Sequence, residues 1–231
     1  MKSQKKDLLR EMQLAFVGKL MAGLSHDFKN HLAIIKELNG LIEDLLLLDE
    51  TRQPADIERY KKIITGINER IAQAAEMCRV LSGFSHRMDQ PLSSLSVTDV
   101  LQEKIYLLRR FAQQKQVEVI SSFAGDLPAI YNNPCLLQFT IFCILWPVLE
   151  LMEPDGRIVI TVGQKDESIE IVIQCEGTLK RLEENTPWED MLPEVVHMLG
   201  ADFSRGIDQK GNENMVLIIS SLEMTHREAT E

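Results

Sequence analysis

The sequence predicts an α+β protein: an N-terminal antiparallel helical hairpin that forms a dimeric four-helix bundle, followed by an α/β sandwich. Three observations predict it. Apolar residues recur in three- and four-residue steps through most of the first 90 positions, a period-two pattern takes over later, and Pro91 stands at the change. The chain therefore divides into residues 1–90 and 91–231. With 45% apolar and 26% charged residues, it has the make-up of a soluble globular protein long enough for two modest domains.

The first helix is predicted over 7–48. Its apolar positions are Leu14, Val17, Met21, Leu24, Phe28, Ile35, Leu38, Ile42 and Leu45, with His31 as a polar intruder and Leu20, Ile34, Leu41 and Leu48 widening the stripe. Three apolar positions per heptad suit a multi-helix bundle. If Leu14 is heptad position a, then His31 falls at d and His26 at f, which points away from the partner helix. Asp27 stands beside His26, and Asn30 lies one turn on, on the same face. Residues 49–56 read as a turn in which Asp56 starts the next helix. That helix carries Ile57, Tyr60, Ile64, Ile67, Ile71, Ala74, Cys78 and Leu81, up to about residue 89. Two helices that bury one stripe each need a partner, and a second copy supplies it as a homodimer.

Past Pro91, helical spacing over 100–112 leads to a strand-like run at 117–123. Asn133-Pro134 supplies an N-cap and first-turn proline for a helix over 135–152. Asp155-Gly156 turns into alternating runs at 157–162 and 168–174, joined as a hairpin through 163–167. A helix near 189–199 and strands near 201–204 and 215–221 complete the layers.

Charge is unevenly shared. Lys+Arg against Asp+Glu stands at 14 to 13 over residues 1–90 and 11 to 22 over 91–231, so the net charge of -10 belongs to the second part. An acidic surface repels phosphate backbones, which argues against nucleic acid as a partner and gives a triphosphate no long-range attraction. No run approaches 18 uninterrupted apolar residues, and residues 1–7 lead into an amphipathic helix rather than a greasy leader. No membrane insertion is expected, and the protein reads as cytoplasmic. Cys78, Cys135, Cys143 and Cys175 show neither a CxxC pair nor a histidine at metal spacing. They are expected as buried, reduced thiols, with no metal site.

The run Ala22-Gly23-Leu24-Ser25-His26-Asp27-Phe28-Lys29-Asn30 resembles the phospho-acceptor box of bacterial sensor histidine kinases. In that family small residues lead into His, an acidic residue, two variable residues and Asn. Val80-Leu81-Ser82-Gly83-Phe84-Ser85-His86-Arg87 resembles the close of the second dimerisation helix, and the order of elements after Pro91 resembles the ATP-binding domain. One departure is local: the family reads Pro where this chain has His31, so its kink after the Asn is not expected here.

The resemblance also implies a nucleotide site, and the residues that would form it are replaced. The family's helix after the Asn-Pro turn presents asparagines for magnesium and phosphate. In register from Gln138 those places fall on Phe142 and Trp146, followed by Pro147, and aromatic rings do not ligate magnesium, which takes oxygen donors. The adenine-reading Asp-x-Gly-x-Gly corresponds to Cys175-Glu176-Gly177-Thr178-Leu179, where the carboxylate is gone and one glycine remains. The glycine-rich run that wraps the phosphates has no counterpart between Thr178 and Pro193.

Together these features imply a phospho-acceptor without its own phosphate source. The expected activity is histidine phosphotransfer in a two-component phosphorelay, between His26 and the aspartate of a response-regulator receiver domain, without ATP. Magnesium is expected on the receiver, and no cofactor in this chain. A neutral imidazole nitrogen is a competent nucleophile near neutral pH, and a neighbouring carboxylate can take the other ring N–H. By resemblance, Asp27 is the base or orienter, and Asn30 holds a water for receiver dephosphorylation. Lys19, Lys29 and Lys36, on or beside the His26 face, are the candidates to meet an acidic receiver, beside the commoner reading of a solvated lysine face. His31 is expected to be a satisfied bundle-core residue that specifies pairing, His86 and His197 structural or merely exposed. Phe142 and Trp146 are expected to fill a dead nucleotide pocket lined also by Cys175 and Gly177, with Cys175 acting as a small buried hydrophobe. The alternatives are a sensor kinase with a divergent ATP site, a receiver phosphatase dependent on Asn30, and a non-catalytic dimeric scaffold.

Overall fold

Two long helices, α1 (Lys2–Leu48) and α2 (Pro54–Met88), open the computed structural model, which describes residues 2–48, 54–89, 92–180, 184–209 and 211–222. The centre of the predicted turn at 49–53, Pro91, and Arg181 to Glu183 of the predicted lid region lie outside the described residues. The chain forms two compact units. One is Lys19–Gly83; the other joins Met1–Gly18 to Phe84–Glu231.

In the helical unit, α1 and α2 run without an interior proline, so their backbone hydrogen-bond ladders are uninterrupted. Leu20, Leu24, Met77 and Val80 are buried. The helices approach closely at Leu38, whose Cδ1 would stand 3.2 Å from a Cβ on Gly66. Part of the apolar pattern stays open: Leu32, Leu41, Ile57, Ile64 and Ile71 are about half exposed, the last three recurring every seven residues along α2.

The seam predicted from Leu14 departs from the structure at its start. Leu14 is 67% exposed and Met21 38%, whereas Phe16 is 0% exposed and Met12 is also buried. The reason is that this end of α1 packs into the sheet-bearing unit: Phe16 rests on Phe139 and Phe142, at 5.6 and 4.7 Å between ring centroids. An aromatic ring buries more area than a leucine, so it determines which face turns inward.

The sheet-bearing unit runs β1 (Ser93–Leu95), α3 (Val97–Gln114), β2 (Glu118–Phe123), β3 (Ile130–Asn132), α4 (Pro134–Leu151), β4 (Arg157–Lys165), β5 (Ser168–Glu176), α5 (Pro187–Leu199), β6 (Ala201–Ile207) and β7 (Glu213–Ile219). Five strands form one sheet in the order β2-β4-β5-β7-β6, with β2 parallel to β4 and the other pairs antiparallel, while β1 and β3 pair separately. Alternate residues face inward: Ile158, Ile160 and Val162 on β4, Ile169, Ile171, Ile173 and Cys175 on β5, and Met215, Leu217 and Ile219 on β7. Such a half-buried face is what period-two sequence encodes, and each large side chain on it contributes roughly 1.5–3 kcal/mol.

The central helix α4 starts as its sequence requires. Asn133 accepts a hydrogen bond from Leu136 N at 2.9 Å, and Pro134 takes the first helical position, where no N–H is missed. By length and composition alone α4 would pass for a membrane span, with a mean hydropathy of 1.7, but 83% of it is buried within the protein as a core helix. α5 begins with a capping box in which Thr186 and Glu189 exchange side-chain and backbone hydrogen bonds, and it ends on Gly200 at φ 65°.

The β4–β5 strands run through positions 163–165 that sequence assigns to the turn, leaving Asp166 and Glu167 as a two-residue connection with Asp166 at φ 53°. β1 and β3 have three residues each, too few for a period to show. What fixes β3 is Asn132, which is fully buried. Its Nδ2 donates to Leu199 O and Ser220 O, both at 3.1 Å, and its Oδ1 accepts from Asn133 N at 2.7 Å. Asn132→Ala takes the partner from three backbone groups, one of these bonds buried and two part-buried, and is expected to lower stability by about 2–4 kcal/mol, read as a fall in the urea midpoint without a change in slope.

Candidate functional site

His26 lies midway along α1 with its side chain 55% exposed; Asp27, one residue on, is 34% exposed. Asp27 Oδ1 stands 3.5 Å from His26 Nδ1, an electrostatic contact longer than a hydrogen bond. Asn30 reaches the same nitrogen from the next turn, its Nδ2 at 3.1 Å. Helical geometry accounts for the convergence, because residues i and i+4 are surface neighbours. Two groups thus meet one ring nitrogen and ask opposite things of it. The Asn30 amide, donating, needs Nδ1 unprotonated and puts the neutral ring's proton on Nε2. The Asp27 carboxylate favours a proton on Nδ1, which leaves the Nε2 lone pair as the nucleophile.

Lys29 and Lys36 are exposed and Lys19 is half-buried. His31 is half-buried, and its Nδ1 is buried without a hydrogen-bond partner among the described residues, so within one chain it is not the satisfied core histidine expected from its d position. His86 and His197 are exposed. Of the four thiols, all unpaired, Cys143 and Cys175 are buried and Cys135 half-buried, but Cys78 is exposed, contrary to the expectation for all four. Its place in the three-and-four pattern of α2 continues the uncovered series of Ile57, Ile64 and Ile71 by another seven residues.

The positions expected to have lost a nucleotide are packed. Phe142 is 0% and Trp146 7% exposed; they stack at 5.2 Å, with Trp188 edge-on to Phe142 at 5.0 Å and Phe111 edge-on to Trp146 at 4.9 Å. Cys175 is buried, which pushes its thiol up to about 12. Gly177 has φ +123°, and a Cβ there would come within 3.1 Å of the Gly156 Cα; backbone geometry requires this glycine whether or not a nucleotide is bound. A polar cavity of about 640 Å³ opens nearby, lined among others by Gly177, Lys180, Glu184, Glu189, Arg205 and Glu213. Arg205 is held by Glu189 at 2.8 Å and by Glu213. Positions 142 and 146, where the resemblance implies magnesium-holding asparagines, carry no oxygen donor, and carboxylates outnumber cations among these cavity-lining groups, which gives a triphosphate no net attraction.

Sequence reasoning passed over Lys104, which is buried on α3 between the rings of Phe16 and Phe84. The signal was available: Lys104 stands three to four residues from Val100, Leu101, Leu107 and Leu108, inside an apolar stripe.

No family model matches the chain. It is 26% identical over 178 residues to sporulation kinase E of Bacillus subtilis, covering 74% of this chain and 23% of that protein. It is also 26% identical over 170 residues to the signal transduction histidine-protein kinase AtoS of Escherichia coli, covering 72% and 26%. The chain thus spans about a quarter of the length of these curated relatives. Among solved structures, the catalytic domain of histidine kinase ThkA matches with a TM-score of 0.51 at 7% identity, over 57% of this chain and 98% of that one. The chain is histidine-kinase-like: a helical N-terminal region precedes an α/β domain with the fold of a histidine kinase catalytic domain.

The contest at His26 Nδ1 is open to measurement. Asn30→Ala removes a donor worth about 1 kcal/mol and is expected to shift the neutral ring roughly fivefold toward the Nδ1–H tautomer, as read from imidazole ¹⁵N chemical shifts.

Proposed function

We propose that this chain is a histidine phosphotransferase of a two-component phosphorelay, exchanging phosphoryl groups between His26 and the aspartate of a response-regulator receiver domain without ATP. The observation that carries this reading is a contrast within the chain. An exposed imidazole has a carboxylate at its Nδ1, while Phe142 and Trp146, at the positions where the resemblance implies magnesium-holding asparagines, are buried, stacked aromatic rings.

In the reaction the Nε2 lone pair attacks the phosphorus of the aspartyl phosphate. The bond from phosphorus to the aspartate oxygen breaks, and the carboxylate leaves with that electron pair. The ring becomes a phosphoimidazolium that keeps its Nδ1 proton, and Asp27 stabilises the positive charge. The reverse step needs no further proton, because the imidazole leaves neutral. The receiver's magnesium would neutralise phosphoryl charge. Lys29 and Lys36, exposed on α1, supply positive charge toward an acidic receiver. The half-exposed Ile57, Ile64 and Ile71 support a homodimer in which a second copy covers them.

A sensor kinase with a divergent ATP site is the second reading, favoured by the fact that both sequence relatives are kinases. Mixing the chain with phosphorylated receivers, and in parallel with radiolabelled ATP, separates the two. Label is expected on His26 from a receiver and none from ATP; label from ATP at the same position would establish the kinase instead. His26→Gln is expected to abolish transfer, and Asp27→Asn to slow it about 100-fold while leaving the fold intact. For the dimer, Ile64→Asp is expected to halve the sedimentation mass, because a carboxylate cannot be buried against a second apolar face.

A further inference from the structure

Lys104 takes no part in the chemistry at His26, and its surroundings in the sheet-bearing unit are apolar. It is 1% exposed, and its Nζ has no hydrogen-bond acceptor among the described residues. The Phe16 ring of α1 lies 4.3 Å from Nζ and the Phe84 ring of α2 lies 4.8 Å away. These rings meet edge to face at 5.7 Å, and Phe16 continues onto Phe139 and Phe142 of α4. The amine is therefore closed in by the N-terminal part of α1 and the C-terminal end of α2.

The titratable groups that bear on Lys104 come from two helices. Glu103 is its neighbour on α3, and its carboxylate is engaged by Arg87 of α2. Cys135 and Cys143 are on α4, and burial holds both thiols above the ordinary thiol value. From α1 and α2 it is faced by phenyl rings; His86, two residues beyond Phe84, is exposed. Burial lowers the Lys104 amine to about 7, outweighing the opposing pull of Glu103 and then of the two thiols.

We propose that Lys104 is a proton-operated latch on the helix ends. As a neutral amine it is one more apolar member of the aromatic cluster and holds the start of α1 and the end of α2 against α4. As an ammonium it lacks an acceptor, and opening of the two helix ends gives it water. The sign follows from linkage. The open form keeps its proton up to the ordinary lysine range, whereas the closed form gives it up near 7. Closing therefore strengthens as pH rises from 7, by up to tenfold per pH unit, and is flat below 7.

Hydrogen exchange on the full chain tests this, with amide protection in residues 6–18 and 84–89 corrected for the intrinsic pH dependence of exchange. Protection is expected to rise by up to tenfold per unit between pH 7 and 9. In Lys104→Met it is expected to be high and independent of pH. In Lys104→Arg, whose guanidinium keeps its proton, it is expected to be low and independent of pH. His86→Gln is expected to keep the wild-type slope. Flat protection in the wild type, or an equal slope in either Lys104 variant, overturns the proposal.

Discussion

The burial of aromatic rings around α4 is the constraint on which the sheet-bearing unit depends. That helix is buried on nearly every side: Phe139 and Phe142 are fully buried and Trp146 nearly so. Each such ring removes about 200 Å² from water, worth about 5 kcal/mol as an upper bound. Polar amides at positions 142 and 146 would have to leave solvent unpaired, or open a water-filled cleft in the middle of the domain. The aromatic core thus occupies the helix positions at which the resemblance implies asparagines. The packing of Phe16 against the same rings adds the start of α1 to that core.

Conditions at His26 are the opposite. The ring is more than half exposed, so its neighbours act through water. A unit charge at 3.5 Å in a high-dielectric medium is worth only about 1 kcal/mol, similar to one hydrogen bond. A neutral ring presents a dipole and not a unit charge, so the carboxylate's pull on it is weaker still, and Asp27 does not fix the tautomer outright. Excluding water from this face lowers the local dielectric and strengthens the carboxylate's pull more than the neutral amide's. A docked partner covering the ring would then select the nucleophilic tautomer as a consequence of docking.

Much of this was legible in the sequence because it rests on periodicity and local spacing. The strands of the large sheet show as alternation, α1 and α2 as three-and-four steps, and the meeting of His26 and Asn30 as a four-residue interval. What escaped depends on contacts far apart in the chain. Leu14 and Met21 continue the stripe in sequence but are exposed, because Phe16 finds rings more than 120 positions away. β1 and β3 are too short to carry a period, and Asn132 holds β3 through carbonyls near the ends of α5 and β7. Gly177 looked like the remnant of a binding motif, but its φ and its approach to Gly156 explain it without one. A lysine in an apolar stripe is ordinarily read as reaching out to solvent along its stem, which is why Lys104 drew no notice.

Lys104 also shows that the cluster is not optimised for stability alone. Two cation–π contacts contribute roughly 0.5–2 kcal/mol each, against several kcal/mol for taking an ammonium out of water. Burial therefore wins, and the amine reaches neutrality close to physiological pH. A carboxylate is one residue away, but Glu103 is committed to Arg87 across the α2–α3 contact. Glu103 and Lys104 are adjacent on α3 and project from different sides of the helix, so the carboxylate does not cap the ammonium. The acid ties the end of α2 to α3, and the lysine is left among phenyl rings.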